Sequence, residues 1–316
     1  MKSNIKKKLI AYSIVSPLQL VNFLSYWHSH KEIYNKVIVF VDFYWGYNII
    51  CQRYLDFCEK KSIEIYYNSD NKDIFLNTPE KKDIVFVGAP SVRILLKNNR
   101  IDQVVVVDEG LSTYAGFENL KKANKREKNV ELSLFKYNIK KIFFLIYSIF
   151  FKEIKYFFAF NKKTGYVNVD YKNAILDFLP VLGEDIPVEN RQKTIVFCSQ
   201  PYVELGLMSE SEYISYLHAI KLKIEDRGGV FVLKKHPVEK IVDYESYGID
   251  VLSFDGIIEE YVCINRILGV ISKVSTSSML LPALFDVESY IVDAEYLIEL
   301  DSCAVRIFSN YTQLLT

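Results

Sequence analysis

The chain has 316 residues, a length that exceeds one ordinary hydrophobic core and suits two domains of typical size. Half of the residues are hydrophobic and a quarter are charged, a composition that excludes an intrinsically disordered protein. The 39 basic residues equal the 39 acidic ones, so the overall charge gives no reason to expect nucleic acid as a partner.

The N-terminal segment contains basic residues followed by an apolar run, an arrangement that a signal peptide also has. Ser13, Ser16 and Pro17 break this run and no small-residue cleavage site follows, so we interpret it as a first β-strand. The five scattered cysteines form no CxxC pair, which predicts reduced thiols and no zinc site. No stretch reaches the roughly 18 uncharged apolar residues of a spanning helix. These features predict a cytoplasmic protein.

Short apolar runs alternate with segments of helical periodicity, which predicts parallel sheets covered by helices. In the first half we predict strands at 8–15, 36–41, 63–67, 83–88 and 101–108, and helices at 18–30, 46–60 and 90–98. In the second half we predict strands at 193–200, 228–237, 249–254, 267–272 and 289–294, and helices at 209–227, 257–265 and 277–284.

These two series predict an α/β chain with two Rossmann-like, doubly wound domains that face each other across a cleft. Ligands of such sheets bind at the carboxyl ends of the strands. The segment 179–192 is rich in turn formers and acids and is the predicted linker. We place the N-terminal domain at 1–185 and the C-terminal domain at 186–316.

The segment 138–160 does not follow this alternation, because it is crowded with aromatic residues and interspersed with lysines. One interpretation is a helix lying in the plane of a membrane surface, with the lysines near anionic head groups. The favoured interpretation is a largely buried helix whose lysines reach solvent, since core helices are commoner. The preceding basic segment 121–128 is predicted to be a solvated loop, with an acidic lipid or a phosphate-bearing acceptor as the alternative contact.

Three polar motifs follow predicted strands. They are Asp108-Glu109-Gly110, Lys234-Lys235-His236-Pro237 and the hydroxyl run Ser275-Thr276-Ser277-Ser278. Each has a structural alternative, namely a turn, a structural histidine and a helix cap. Taken together they suit the transfer of a sugar from a nucleotide. A carboxylate can take a proton from an acceptor hydroxyl, while a histidine, a lysine and hydroxyls neutralise a departing phosphate.

A metal ion is not expected. The carboxylates Asp293 and Glu295 form a pair that a metal could use, but a pair alone is a weak metal signature. Hydroxyls and a histidine can neutralise a departing phosphate by themselves, so no cofactor is expected either.

The succession of D/E-D/E-G, H-P and S-S/T resembles the motifs of bacterial GT-B sialyltransferases. These include the lipooligosaccharide and capsule sialyltransferases of glycosyltransferase family 52 and the polysialyltransferases. The segment SPLQLVNFLSY at 16–26 is similar to the first strand-to-helix turn of those proteins. The segment TIVFCSQP at 194–201 is similar to the opening of their nucleotide domain.

This resemblance implies a role for each motif. Asp108 would be the catalytic base, with Glu109 as the second choice. His236, followed by Pro237, would act on the leaving phosphate as an acid or a strong hydrogen-bond donor. The phosphate would be held by Ser277 and Ser278, with the register Ser275 and Thr276 as the alternative.

Further residues follow from the same resemblance. Lys234 would contact the cytosine base, and Glu260, or else Glu259, would bind the ribose hydroxyls. The acceptor side would include Ser16, Pro17, Gln19 and Gly110. The N-terminal domain would then bind the acceptor, and the C-terminal domain would bind the nucleotide sugar.

The expected activity is an inverting, metal-independent transfer of sialic acid from CMP-sialic acid to a terminal sugar, first of all galactose, of a bacterial capsule or lipooligosaccharide. A polysialyltransferase or an enzyme using another CMP-sugar is the alternative. A non-catalytic sugar-nucleotide-binding partner of a capsule assembly complex is the alternative of another class. The expected partners are a nucleotide-sugar donor and a glycan acceptor, with peripheral association at the inner face of the plasma membrane left open.

Overall fold

The computed structural model describes residues 7–43, 48–67, 80–88, 91–97, 100–128, 131, 133–150, 154–189, 191–292 and 300–315. The chain divides into two compact units. Unit 1 comprises 1–161 and 168–178, and unit 2 comprises 162–167 and 179–316. The short segment 162–167 therefore belongs to unit 2, although unit 1 precedes and follows it in the chain.

Unit 1 is a parallel sheet with connecting helices. Its elements are β1 (Lys7–Ile14), α1 (Pro17–Ser29), β2 (Tyr34–Val41), α2 (Gln52–Lys60), β3 (Ile63–Tyr67), β4 (Lys82–Val87), α3 (Val92–Lys97), β5 (Ile101–Val107), α4 (Phe117–Lys128), α5 (Leu134–Phe150), β6 (Ile154–Phe157) and most of α6 (Val169–Leu182). The strand order is β3-β2-β1-β4-β5-β6, the order of the dinucleotide-binding Rossmann fold.

The apolar character of these strands explains their burial. All six residues of β4 and the last four of β5 are buried, as expected for parallel strands covered on both faces. On one face Tyr12 stacks on Phe40 with 5.0 Å between ring centroids. The same cluster includes Tyr147 of α5, so this helix packs against the sheet.

Unit 2 is a second parallel sheet. Its elements are β7 (Arg191–Cys198), α7 (Glu210–Glu225), β8 (Val230–Lys234), α8 (Ile258–Ile264), β9 (Ile267–Ser272), α9 (Thr276–Phe285), β10 (Glu288–Ile291), α10 (Ser302–Tyr311) and β11 (Gln313–Leu314). The strand order is β11-β10-β9-β7-β8, which is the flavodoxin-like order. Among its described residues, one apolar cluster is built around Phe197 and Phe231 and another around Val196 and Val270.

The predicted α/β class is confirmed, and most predicted strands lie within two residues of their observed bounds, although three segments differ from prediction. Residues 249–254 are not a strand, because only Val251 bridges to Leu233. The segment 138–160 is not one helix, since α5 ends at Phe150 and β6 pairs with β5 at the sheet edge. The basic segment 121–128 is not a loop but the body of α4.

The strand order of each sheet locates its ligand crevice. Ligands bind beyond the carboxyl ends of the strands where the order reverses. In unit 1 the order reverses between β1 and β4, and in unit 2 between β9 and β7. None of the described helices combines the length and apolarity needed to cross a bilayer.

Candidate functional site

Asp108 directly follows β5, and its side chain is buried inside unit 1. Its Oδ1 accepts a hydrogen bond from the Gly110 amide at 2.6 Å. Its Oδ2 accepts from the Ala159 amide at 2.9 Å and from the Tyr114 hydroxyl. Burial raises the pKa of Asp108, and these donors oppose the rise. Asp108 thus joins the end of β5 to the following turn and to the chain beyond β6.

Glu109 has different surroundings, because its side chain is only half-buried. Its Oε1 accepts a hydrogen bond from the Ser112 hydroxyl, and its amide donates to Thr113 Oγ1 at 2.9 Å. Its Oε2 lies over Gly88, which follows β4, so a Cβ added at Gly88 would lie 1.6 Å from that oxygen. The carboxylate therefore occupies the space at the carboxyl ends of β4 and β5.

Lys140 of α5 lies near this carboxylate. Burial lowers the pKa of Lys140, and its electrostatic interaction with Glu109 opposes that shift. The helix that packs on the sheet of unit 1 thus brings a cation to the candidate base.

The start of α1 is a capped turn at the end of β1. The Ser16 hydroxyl accepts a hydrogen bond from the Gln19 amide at 3.3 Å, and Gln19 Oε1 accepts from the Val15 amide at 2.7 Å. Pro17 occupies the first turn, where its missing N–H costs nothing. Three of the four residues predicted for the acceptor side therefore lie directly after β1, where the side chains of Ser16 and Gln19 stabilise the helix start.

Lys234 ends β8 in unit 2. Its Nζ donates to the Phe254 carbonyl at 2.6 Å and lies 5.8 Å from the centroid of that ring. Lys234 also interacts electrostatically with His236 and with Glu259. One strand end therefore brings three predicted site residues into the same neighbourhood.

His236 begins a turn closed by a hydrogen bond of 2.9 Å from the Glu239 amide to its carbonyl. Pro237 is the exposed second residue of this turn. Burial first, and then the Lys234 charge, lower the pKa of His236 to about 4. The imidazole is therefore neutral near pH 7. Its Nδ1 accepts from the Val238 amide at 3.4 Å, so the ring proton is on Nε2.

Glu239 holds this turn in place through its buried carboxylate. Oε2 accepts from the His236 amide, and Oε1 accepts from the hydroxyls of Ser199 at 2.6 Å and Tyr244 at 2.7 Å. Burial raises the pKa of Glu239 to about 7, although these hydrogen bonds act in the opposite direction. Because Ser199 follows β7, the carboxylate ties the turn after β8 to the end of the neighbouring strand.

Glu259 and Glu260 both lie in the first turn of α8 and are buried. The Ser277 hydroxyl hydrogen bonds to the Glu259 carboxylate, and this bond and Lys234 partly offset the rise in its pKa that burial causes. Oε1 of Glu259 is buried and has no hydrogen-bond partner among the residues that the structure describes. Glu260 lies near Cys263. The contacts thus join Glu259, the second choice of the sequence analysis, to Lys234 and Ser277.

The hydroxyls at the start of α9 have different surroundings. Ser275 is the N-cap, and its Oγ accepts from the Ser277 amide at 3.3 Å. Ser278 is fully buried and its Oγ lies 2.5 Å from Ser272 Oγ. Thr276 and Ser277 are half-buried. The predicted pair Ser277 and Ser278 is therefore divided between the helix start and the core.

Sequence reasoning missed several residues that the structure places at these strand ends. Lys273 follows β9, and its Nζ lies 4.6 Å from the Tyr216 ring centroid. Asn22 of α1 donates to the Asp108 carbonyl at 2.9 Å. The sequence did offer a signal for Lys273, a lysine at a strand end, and for Glu239, an acid three residues after His236. The role of Asn22, in contrast, depends on tertiary structure.

Among the residues that the structure describes, no group of three or more His, Cys, Asp or Glu side chains is placed to hold a metal ion. Asp293 and Glu295, the pair considered for a metal, lie outside the described residues.

Comparison with solved structures shows the fold class. The chain resembles a 2,6-sialyltransferase from Photobacterium sp. JT-ISH-224, solved with the donor product CMP and the acceptor lactose. That match has 12% identity, covers 98% of this chain and 78% of the other, and has a TM-score of 0.52. A Listeria monocytogenes protein assigned as a UDP-N-acetylglucosamine 2-epimerase matches at 9% identity over 93% of this chain and 82% of its own, with a TM-score of 0.52. Identities this low show the fold alone, which is the GT-B class of two Rossmann-like domains.

Sequence comparison identifies the family. No curated protein matches the chain. The profile of the alpha-2,8-polysialyltransferase (POLYST) family, however, matches residues 54–294, well over half of the chain. The chain therefore belongs to the alpha-2,8-polysialyltransferase family and is a sialyltransferase, a glycosyltransferase with the GT-B fold.

Proposed function

We propose that the protein transfers sialic acid from CMP-sialic acid to a hydroxyl of a terminal sugar in a bacterial capsule or lipooligosaccharide, with inversion and without a metal ion. The observation that carries this proposal is the grouping of Lys234, His236, Glu259 and Ser277 in unit 2 of a sialyltransferase. A cation, a hydrogen-bond donor and a hydroxyl beyond the carboxyl ends of β8 and β9 suit a nucleotide monophosphate leaving group.

Glu109 is the better candidate for the base in unit 1. Both oxygens of Asp108 accept hydrogen bonds from within the protein, and the side chain is only 2% exposed. Glu109 is half-buried, lies at the carboxyl ends of two strands and has a lysine beside it. In the reaction Glu109 takes the proton of the acceptor hydroxyl, and that oxygen forms the bond to the anomeric carbon as the bond to the CMP phosphate breaks.

His236 serves this step as a neutral hydrogen-bond donor. Its pKa of about 4 makes a protonated imidazole scarce in the free enzyme near pH 7. With Nδ1 facing the Val238 amide, the Nε2–H is available to donate to a phosphate oxygen as negative charge develops there.

The remaining donor contacts follow from α9 and α8. The half-buried hydroxyls of Thr276 and Ser277 lie at the start of α9, where the helix dipole favours an anion such as the CMP phosphate. Glu259 Oε1 is buried and accepts no hydrogen bond from the described part of the chain, so a ribose hydroxyl can supply one. These assignments use Ser277 and Glu259 rather than Ser278 and Glu260.

Two acceptor sugars are candidates. Membership of an alpha-2,8-polysialyltransferase family favours a terminal sialic acid, and Lys140 beside Glu109 supplies a cation for its carboxylate. A terminal galactose is the second candidate, since lactose is the acceptor in the Photobacterium structure, whose likeness to this chain concerns the fold.

An assay with purified protein tests the proposal. CMP-sialic acid is offered with oligosialic acid, lactose or N-acetyllactosamine, and the release of CMP and the linkage of the product are measured. UDP-sugars serve as negative control donors. A parallel reaction contains a metal chelator. We expect CMP release that depends on the acceptor, an α-linked product and no loss of rate with the chelator. Tight CMP binding without transfer to any acceptor would instead favour the non-catalytic nucleotide-binding alternative.

A further inference from the structure

Helix α5 exposes an apolar face that the described residues of unit 1 do not cover. Its members recur every three or four residues, which places them on one side of the helix. They are Phe135, Ile139, Ile142, Leu145, Ile146 and Ile149, and we call them the α5 apolar face. Phe135 is 73% exposed and Ile149 is 65% exposed, values ordinarily found for charged side chains.

The opposite side of α5 already has a partner. Tyr147 is 7% exposed and, with Phe143 and Phe144, packs into the core cluster of the unit 1 sheet. The helix is therefore apolar on two sides, of which packing within unit 1 uses one. A contiguous exposed apolar face of this kind marks a site of interaction with a partner or a membrane.

Charge identifies the partner. The chain as a whole is neutral, but residues 117–150 contain eight basic and three acidic residues. Phe117 at the start of α4 packs on Tyr137 of α5 with 5.2 Å between ring centroids, so the two helices adjoin. Lys122 and Lys125 of α4 and Lys136 of α5 are exposed. An apolar helix face with lysines around it fits a bilayer surface that contains anionic lipid.

We infer that α4 and α5 dock unit 1 on an anionic membrane surface, with the α5 apolar face in the plane of the interface and the exposed lysines at the lipid head groups. Lys140, on the same helix, interacts with Glu109, so docking brings the candidate base close to the bilayer. The acceptor would then be a glycan whose reducing end is anchored in lipid. This second step rests on the proposed function.

Vesicle binding tests the docking step. The full-length protein is mixed with phosphatidylcholine vesicles that contain or lack phosphatidylglycerol, and the bound fraction is measured by co-sedimentation. The triple variant Ile142→Gln, Leu145→Gln, Ile149→Gln is compared with a matched control, Leu96→Gln, Leu222→Gln, Ile241→Gln, whose three side chains are equally exposed elsewhere. We expect the wild type and the control to bind phosphatidylglycerol vesicles at least about tenfold more tightly than the α5 variant.

A charge variant and the association state complete this test. Changing Lys122, Lys125 and Lys136 to glutamine should remove the preference for phosphatidylglycerol. Equal binding by all variants, or no preference of the wild type for anionic vesicles, would overturn the inference. A wild-type dimer that the α5 triple variant converts to a monomer in sedimentation velocity, without vesicle binding, would assign the face to a second copy instead. Single Ile149→Gln provides the comparison if the triple variant does not fold.

A transfer assay separates this inference from the proposed function. The acceptor is supplied either as a free oligosaccharide or as a glycolipid in phosphatidylglycerol vesicles. We expect the α5 variant to keep the wild-type rate on the free acceptor and to lose about tenfold on the glycolipid. If the α5 variant matched the wild-type rate on the glycolipid as well as on the free acceptor, docking would be refuted. If the wild type transferred to neither acceptor, only the proposed function would be refuted.

Discussion

At the scale of single residues, the two acids after β5 differ because successive side chains of an extended chain point to opposite sides. Asp108 points inward, where amides and the Tyr114 hydroxyl bind its oxygens. Glu109 points to the ends of β4 and β5. The sequence predicted that an acid here is functional, but the choice between neighbours depended on contacts with Gly88 and Ala159 that only the tertiary structure supplies.

The base assignment predicts opposite effects for two isosteric changes. Glu109→Gln should lower kcat at least about a hundredfold, roughly 2.7 kcal/mol, with little change in the KM for CMP-sialic acid, because the acceptor proton loses its base. Asp108→Asn should lower the melting temperature but cost less than about tenfold in kcat, because an amide nitrogen would face a backbone N–H. Steady-state kinetics and thermal unfolding measure both, and the reverse pattern would return the role to Asp108.

Gly88 offers a more selective test of the same carboxylate. Alanine at this position would place its Cβ on Glu109 Oε2 and would also adopt a φ of +67°. Gly228→Ala is the matched control, because Gly228 has a φ of +77° but an added Cβ there would have no atom of the described residues within 4 Å. We expect Gly88→Ala to lower kcat more than about tenfold and the control to leave it unchanged. Similar kcat values for the two variants would place Glu109 outside the reaction.

His236 is predicted to act as a neutral donor rather than as an acid. His236→Gln should then keep more activity than His236→Ala, since the glutamine amide can still donate, whereas the alanine variant should lose about a hundredfold. The pH profile of kcat/KM gives a second measurement, because a donor that is already neutral produces no loss between pH 6 and pH 8. Equal losses in both variants would instead indicate proton transfer by the imidazole.

At the scale of elements, the turn after β8 contains two titratable side chains whose pKa values are shifted in opposite directions. Glu239, with its pKa raised to about 7, contributes stability that is present below its ordinary pKa and is lost as the pH rises toward 7. His236, with its pKa lowered to about 4, contributes stability that is present above its ordinary pKa and is lost as the pH falls toward 4. Between the ordinary pKa values of the two side chains, a rise in pH weakens the contribution of Glu239 and strengthens that of His236, so the two changes partly offset each other.

Glu239→Gln separates the two contributions. The amide needs no deprotonation, so the melting temperature of the variant relative to the wild type should become more favourable as the pH rises from 5 to 7. Thermal unfolding at several pH values measures this difference, and Ser246→Ala, which removes an exposed hydroxyl from a neighbouring turn, is a control that should stay constant. A difference that does not change with pH would exclude a raised Glu239 pKa.

Element prediction succeeded where apolar runs were short and bounded by turn residues, as at β3 and β9. It failed at 138–160, because aromatic residues suit a helix and an edge strand equally, and only pairing with β5 distinguishes them. It also failed at 121–128, where charge was taken as a sign of a loop although lysine, alanine, arginine and glutamate favour helix. At 249–254 the tertiary structure allows a single bridge, at Val251, and not a ladder of several residue pairs.

At the scale of the whole molecule, the two sheets have different strand orders, which no local pattern of the sequence encodes. The class of fold was predictable, since alternating strands and helices with few exceptions lead to parallel sheets. The order was not, because it depends on which side each crossover helix takes. The predicted boundary near 185 assumed one passage of the chain between domains, and the chain gives no local signal that 162–167 belongs to unit 2.

Because 162–167 belongs to unit 2, the ways in which chimeras of such an enzyme can be built are limited. The chain passes between the units at 161/162, 167/168 and 178/179, so a single crossover point cannot exchange one unit whole. A chimera joined at 178/179 would combine a foreign α10 with the native segment 162–167. It would then have to preserve the hydrogen bond from the Val167 amide to the Tyr311 hydroxyl and the one from Arg306 to the Lys162 carbonyl. Exchange of unit 2 as a whole therefore requires that 162–167 and 179–316 be replaced together.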